Sequence, residues 1–245
     1  VIKQDILENQ VKPIYLGNSG TSARLLTGLL ASQNFNSILT GDRSLSTRPM
    51  KRIADPLSLM NAKIQTSDGK MPIKIFGKNL KNSKITVDIA SAQIKSGLIL
   101  AALNTKGKTT IIEKNITRNH TEIMLESFGA NIEIQKIYNE TFIEIVGKKE
   151  IIPQNIQVPS DLSSSAFFIV AALINKNSNI TLKNININPT RSGVLIALNK
   201  MGANINITNN RILNNENVAD INVQSSELNG CELDKDIAKL MIDEY

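Results

Sequence analysis

The sequence contains no tryptophan, a single cysteine, a single histidine and only 4% aromatic residues in a length of 245. Each shortage closes a class of function. Cys231 has no partner for an intrachain disulfide, and with His120 as the sole imidazole no His/Cys zinc cluster can be assembled. That usage fits a reducing, cytoplasmic setting. Few aromatics and singly scattered lysines leave neither the stacking platform nor the basic stripe of a nucleic-acid binder. The longest apolar runs, such as residues 166–174, are far short of the ~20 residues that a membrane-spanning helix needs. Val1-Ile2-Lys3-Gln4-Asp5 lacks the basic and apolar regions of a secretory leader. What remains is the composition of a globular chain, 41% hydrophobic and 20% charged. At roughly 150 residues per domain the length predicts one large or two ordinary domains. The net charge of +6, from 28 Lys+Arg and 22 Asp+Glu, permits an anionic ligand without demanding one.

Repetition is the strongest internal signal. A small polar cluster precedes an apolar, helix-like run three times: Ser19-Gly20-Thr21, Ser91-Ala92-Gln93 and Ser163-Ser164-Ser165. Ser19 and Ser91 are 72 residues apart, and so are Ser91 and Ser163. A β-branched stretch that reads as a strand follows each run, at residues 37–39, 109–112 and 179–182. A second helix comes next and closes on a shared ending: Met60-Asn61-Ala62, Phe128-Gly129-Ala130 and Met201-Gly202-Ala203. Glycine there suits the left-handed residue that ends a helix, and the alternating apolar residues that follow start a strand. Three α/β units of one size predict an architecture in which each unit hides its apolar face against its neighbours.

The dipeptides Thr47-Arg48, Thr117-Arg118 and Thr190-Arg191 recur where the second helix is expected to begin. Threonine suits an N-cap there. Arginine at the positive end of a helix dipole is unfavourable by a few tenths of a kcal/mol unless an anion is bound, so the three arginines suggest oxyanion binding, with a carboxylate from a neighbouring unit as the alternative partner. Gly17-Asn18-Ser19-Gly20-Thr21 follows a strand-like stretch and opens a helix, where small residues let a phosphate or carboxylate approach backbone N–H groups. It is neither a Walker loop nor a dinucleotide fingerprint, and a plain strand-to-helix connection gives the same pattern.

Six ordered blocks then carry a family resemblance: Gly17-Asn18-Ser19-Gly20-Thr21, Ser44-Leu45-Ser46-Thr47-Arg48-Pro49-Met50, Ser91-Ala92-Gln93-Ile94-Lys95-Ser96, Thr117-Arg118-Asn119-His120-Thr121-Glu122, Asn188-Pro189-Thr190-Arg191 and Met241-Ile242-Asp243-Glu244-Tyr245. Together they resemble the 5-enolpyruvylshikimate-3-phosphate synthase family, in forms closer to its class II bacterial members. The resemblance implies a mixed α/β (α+β) fold of repeated βαβαββ units, arranged in two pseudo-threefold domains and incomplete in this chain. It implies most of a first domain at residues 1–157 and part of a second at 158–245, a central piece of a longer protein that is expected to be inactive by itself. The implied reaction belongs to aromatic amino acid biosynthesis by the shikimate pathway: transfer of the enolpyruvyl group of phosphoenolpyruvate to the 5-hydroxyl of shikimate 3-phosphate, releasing phosphate, with neither metal nor organic cofactor. A monomer in the cytoplasm, with no nucleic-acid or membrane partner, is the accompanying expectation.

By the match, Gly20, Arg48 and Gln93 bind phosphoenolpyruvate, and Ser91, Ala92, Gln93, Arg118 and Asp243 bind shikimate 3-phosphate. Asp243 is the implied general base. Glycine at position 20 implies room for glyphosate. His120 and Arg191 receive no assignment, and Cys231 has no reactive-loop context. Two alternatives stay open: a UDP-N-acetylglucosamine enolpyruvyl transferase on the same fold, and a catalytically inactive repeat module.

Overall fold

A computed structural model of the chain describes residues 12–244. The amino-terminal stretch read for a leader and Tyr245 of the last block lie outside the described residues. The chain order is β1 (Ile14–Tyr15), α1 (Gly20–Ala31), β2 (Asn36–Thr40), α2 (Arg43–Thr47), α3 (Lys51–Ser58), β3 (Lys63–Ser67), β4 (Lys70–Phe76), β5 (Lys84–Val87), α4 (Ala92–Leu103), β6 (Lys108–Glu113), α5 (His120–Ser127), β7 (Asn131–Ile137), β8 (Glu140–Val146), α6 (Leu162–Ile174), β9 (Asn179–Asn186), a 3-10 turn (Pro189–Arg191), α7 (Gly193–Lys200), β10 (Asn204–Leu213), β11 (Glu216–Gln224) and α8 (Lys235–Lys239). Two compact units result. One holds the described residues up to Ile116 together with Phe128–Pro153; the other holds Thr117–Ser127 and residues from Gln154 onward. Helix α5 thus groups with the second unit although β7 and β8, which follow it, group with the first.

The repeat read from the sequence is present as topology. In the first unit two four-stranded sheets have the same plan, β1-β2-β4-β3 and β5-β6-β8-β7. Each starts with a parallel pair and continues antiparallel. In the second unit β10-β11-β9 is antiparallel, and an isolated parallel bridge between Ser160 and Ile185 stands where β1 and β5 stand in the other two. Alternation is plain in β4, where Met71, Ile73 and Ile75 are buried and the intervening residues exposed, as expected of a sheet with one covered face.

Helix starts follow the repeat with one change. Ser19 caps α1 by accepting the Ser22 N–H, and Ser91, 72 residues on, caps α4 by accepting the Ile94 N–H. The third cap is Asp161, not a residue of the serine cluster: its carboxylate accepts the Ser164 N–H, and Ser163 lies inside α6. Asp and Ser are equivalent N-caps, so the register moves by two residues at no cost in capping. The shared helix ending also holds. Asn61, Gly129 and Gly202 all adopt positive φ, of 66°, 76° and 89°.

In the first unit α1 crosses α4 so closely that a Cβ on Gly28 would fall on the Gly97 carbonyl oxygen. The crossing brings both helix starts, with Ser19 and Ser91, to one end of the unit. The second unit closes on Leu162, Ile169, Leu173, Ile185, Leu195, Ile221 and Val223, into which Met241 also packs. Burying a methionine side chain stabilises by about 1.5–3 kcal/mol, and here it fixes the segment that bears Asp243. The Gly193 N–H donates to the Leu240 carbonyl at 3.2 Å and ties the start of α7 to the same segment.

Candidate functional site

In the first unit the site begins at the turn between β1 and α1. The Leu16 N–H donates to Thr40 O at 2.9 Å and the Asp42 N–H to Gly17 O at 2.9 Å, which lock that turn onto the end of β2. One turn into α1, Arg24 Nη1 donates to Gln93 Oε1 at 2.5 Å, and Gln93 Nε2 donates to Thr21 Oγ1 at 2.8 Å. Arg48 Nη2 donates to Asn18 Oδ1 at 2.5 Å. Both guanidiniums lie over Gly20: a Cβ there would stand 2.9 Å from Arg48 Nη1 and 3.0 Å from Arg24 Nη1. The structure therefore gathers Gly20, Arg48 and Gln93 into one cluster and adds Arg24.

Burial, and then the charges of Arg48 and Arg52, push the Arg24 pKa below that of an ordinary arginine. Among the described residues no carboxylate forms an ion pair with Arg24 or Arg48; their partners are neutral amide and carbonyl oxygens. Like charges held together by a folded frame raise the free energy of the empty site and lower it again when an anion enters. Planar guanidiniums suit a carboxylate or phosphate in particular. Ser91 supplies the α4 cap and Ala92 opens the helix, so both sit at the helix start beside Gln93. Behind them Lys95, 1% exposed, pairs with Glu113, 4% exposed, at 3.3 Å and holds α4 to β6.

The second unit carries a different cluster. Arg118 Nη1 meets Asp243 Oδ2 at 2.5 Å, and Arg191 Nη2 stands 4.0 Å from the same oxygen. Arg191 also pairs with Asp161 Oδ1 at 2.8 Å and donates to Ser163 Oγ at 2.7 Å, while the Ser163 hydroxyl donates to Glu244 Oε1. Burial alone would raise the Asp161 carboxyl, but hydrogen bonds from the Ser164 hydroxyl and N–H, the Arg191 charge and the Ser163 N–H bring it below its ordinary value. Arg118 and Asp243 are thus brought together, and Arg191, unassigned from the sequence, joins them.

Beside this cluster lies a hydrogen-bonded network. His120 Nδ1 is 2.6 Å from Glu216 Oε1, and Asn188 Nδ2 donates to Glu216 Oε2 at 3.1 Å and to Asn119 Oδ1 at 2.9 Å. Burial would raise the Glu216 carboxyl; the hydrogen bond and charge of His120, with Asn188 and Asn186, hold it below its ordinary value. His120 Nε2 and Arg191 Nε are buried with no hydrogen-bond partner among the described residues.

The helix-start reading of the three Thr-Arg dipeptides is corrected. Thr47 is the last residue of α2, its hydroxyl donating to Ser44 O at 2.8 Å, and α3 starts only at Lys51. Pro49 explains the delay, since the residue before a proline is driven out of the helical region; Arg48 has ψ of 144°. Thr190 lies in the 3-10 turn, and α5 starts at His120, three residues beyond Thr117. The oxyanion argument for Arg48 therefore rests on its nearness to Arg24 and Gly20, not on a helix dipole. Arg24 was missed although a signal existed: four residues after Gly20 it shares that glycine's helix face. Cys231 is exposed in an irregular stretch.

Comparison with known proteins bears on the whole chain. A family model described as EPSP synthase (3-phosphoshikimate 1-carboxyvinyltransferase) matches residues 2–243. A 3-phosphoshikimate 1-carboxyvinyltransferase of Thermoanaerobacter sp. (strain X514) is 46% identical over 239 residues, covering 97% of this chain and 56% of the relative. The protein of that name from Magnetococcus marinus is 49% identical over 232 residues, covering 94% of this chain and 51% of the relative. A solved structure of EPSP synthase from Acinetobacter baumannii superposes with a TM-score of 0.84 at 46% identity, covering 96% of this chain and 53% of that one. The chain spans about half the length of the curated relatives it matches. With the repeat, the sheet plan and nearly the full sequence in agreement, the chain belongs to the EPSP synthase family.

Proposed function

We propose that this chain serves the reaction of its family, transfer of the enolpyruvyl group from phosphoenolpyruvate to the 5-hydroxyl of shikimate 3-phosphate with release of phosphate. The observation that carries the reading is the pair of guanidiniums, Arg24 and Arg48, over Gly20 with no carboxylate partner among the described residues. Phosphoenolpyruvate has a phosphate and a carboxylate on a three-carbon frame, so two adjacent guanidiniums match its charge and spacing. Gln93, already hydrogen-bonded to Arg24, extends the same surface toward Ser91 and Ala92, the residues assigned with it to shikimate 3-phosphate.

Arg118 would hold the phosphate of shikimate 3-phosphate, and Asp243 would take the proton of the 5-hydroxyl as its oxygen bonds to the enolpyruvyl carbon. In that addition the methylene carbon of phosphoenolpyruvate takes up a proton to become a methyl group. Cleavage of the C–O bond to phosphate and removal of one methyl proton then leave the enolpyruvyl ether, so atoms and charge balance without a redox partner. The ion pair supports this assignment, because Arg118 orients the Asp243 carboxylate for the hydroxyl. A cytoplasmic monomer without cofactor, nucleic-acid or membrane partner belongs to the same reading. Calorimetric titration of shikimate 3-phosphate into the protein and its Arg118→Ala variant tests it. Loss of a charged hydrogen-bond donor is expected to weaken binding by about tenfold or more. Equal affinity would remove Arg118 from the site.

A further inference from the structure

Arg118 lies in an irregular stretch ahead of α5, where no helix or strand hydrogen bonds hold it. Its neighbours are held instead. Asn119 Oδ1 accepts from Asn188 Nδ2 at 2.9 Å and from the Thr190 hydroxyl at 3.3 Å, and His120 Nδ1 is hydrogen-bonded to Glu216. On the other side, Asn188 caps the 3-10 turn that ends in Arg191: its Oδ1 accepts the Thr190 N–H at 2.9 Å and the Thr190 hydroxyl at 2.7 Å. One side chain touches both groups. Glu216, 8% exposed at the start of β11, binds His120 with Oε1 and Asn188 with Oε2.

We propose that Glu216 is a positioning residue, whose two carboxylate oxygens tie the start of α5 to the 3-10 turn and so set Arg118 and Arg191 on Asp243. A buried carboxylate is retained only where its lone pairs are met, and those of Glu216 are met by residues two after Arg118 and three before Arg191. The lowered Glu216 pKa keeps the carboxylate charged at neutral pH. The sequence separations are 96 residues to His120 and 28 to Asn188, so the tie is tertiary and not a local turn. His120 thereby gains a role: its imidazole is the handle by which Glu216 holds the segment of Arg118.

The inference rests on the proposed substrate reading only in using shikimate 3-phosphate as the probe for Arg118. The test is calorimetric titration of that ligand into wild-type protein, Glu216→Gln, Arg118→Ala and the double variant, together with side-chain 15N spectra of the arginines. Glu216→Gln is expected to weaken binding about tenfold with unchanged far-UV circular dichroism, and to merge the Arg118 Nη resonances that the ion pair keeps apart. Because Glu216 acts through Arg118, the double variant is expected to bind no more weakly than Arg118→Ala alone. His120→Asn, which keeps a donor at the Nδ1 position, should retain wild-type affinity, whereas His120→Ala should not; this pair decides the matter if Glu216→Gln fails to fold. Unchanged affinity in Glu216→Gln beside a weakened Arg118→Ala, or losses that multiply in the double variant, would overturn the proposal. If Arg118→Ala itself binds normally, the substrate reading falls, and the Nη resonances then decide: merging in Glu216→Gln upholds the tie, and separate signals refute it.

Discussion

The two arginine clusters solve opposite electrostatic problems. Arg24 and Arg48 face Gly20 with neutral oxygens as partners, and burial, then the charges of Arg48 and Arg52, hold the Arg24 pKa below that of an ordinary arginine. Arg118 and Arg191 face Asp243 and Asp161 at 2.5 Å and 2.8 Å and are neutralised from within the protein. Under the proposed function the first cluster is the receptor for an anion. In the second an anion is built in, so the proposed phosphate would share Arg118 with Asp243. Under the proposed function similar residues do different work, receiving ligand charge in one cluster and orienting a carboxylate in the other.

The sharpest way to break this contrast is Asp243→Asn. In a full-length, active form, removing the proposed general base is expected to lower turnover by about 10²–10⁴-fold, while the freed Arg118 offsets the lost Asp243 contact, so shikimate 3-phosphate affinity changes little. Steady-state kinetics with a parallel binding titration separates the two effects, and a variant with normal turnover would strip Asp243 of its role.

Gly20→Ala probes the other cluster more gently. The new methyl would displace the flexible ends of Arg48 and Arg24 rather than backbone, so melting temperature should hardly move. Phosphoenolpyruvate affinity should fall by roughly 3–10-fold, as expected when charged hydrogen bonds are misaligned but not removed. An unchanged affinity would mean that the two guanidiniums do not need their present positions.

The smallest effect concerns acid stability. Glu216 and Asp161 have folded pKa values below their ordinary 4.5 and 3.8. Their contribution is therefore complete above those ordinary values and is lost as pH falls through the folded ones. Thermal melts over the acid range should show a shallower decline in Glu216→Gln and Asp161→Asn than in wild type. Parallel curves would show that neither carboxylate is stabilised by folding.

Much of the architecture was legible because it is repeated. Caps at Ser19 and Ser91 and left-handed endings at Asn61, Gly129 and Gly202 are local signals, each enforced by hydrogen bonding or backbone sterics at its own position. The Thr-Arg helix starts failed where a competing local rule won, most plainly at Pro49, which holds Arg48 extended. Arg24 and Glu216 were invisible for another reason. An arginine on a helix reads as solvated surface until Gln93, 69 residues away, is packed against it. Glu216 follows the tight Asn214-Asn215 turn, with φ of 49° and 63°, and reads as a hairpin acid until His120 and Asn188 enclose it.

The most direct measurement is a calorimetric titration of phosphoenolpyruvate, in saturating shikimate 3-phosphate, into wild-type protein and Arg48→Ala. If the first cluster is an unfilled anion receptor, Arg48→Ala weakens phosphoenolpyruvate by about tenfold or more. Identical affinities in the two proteins would contradict it.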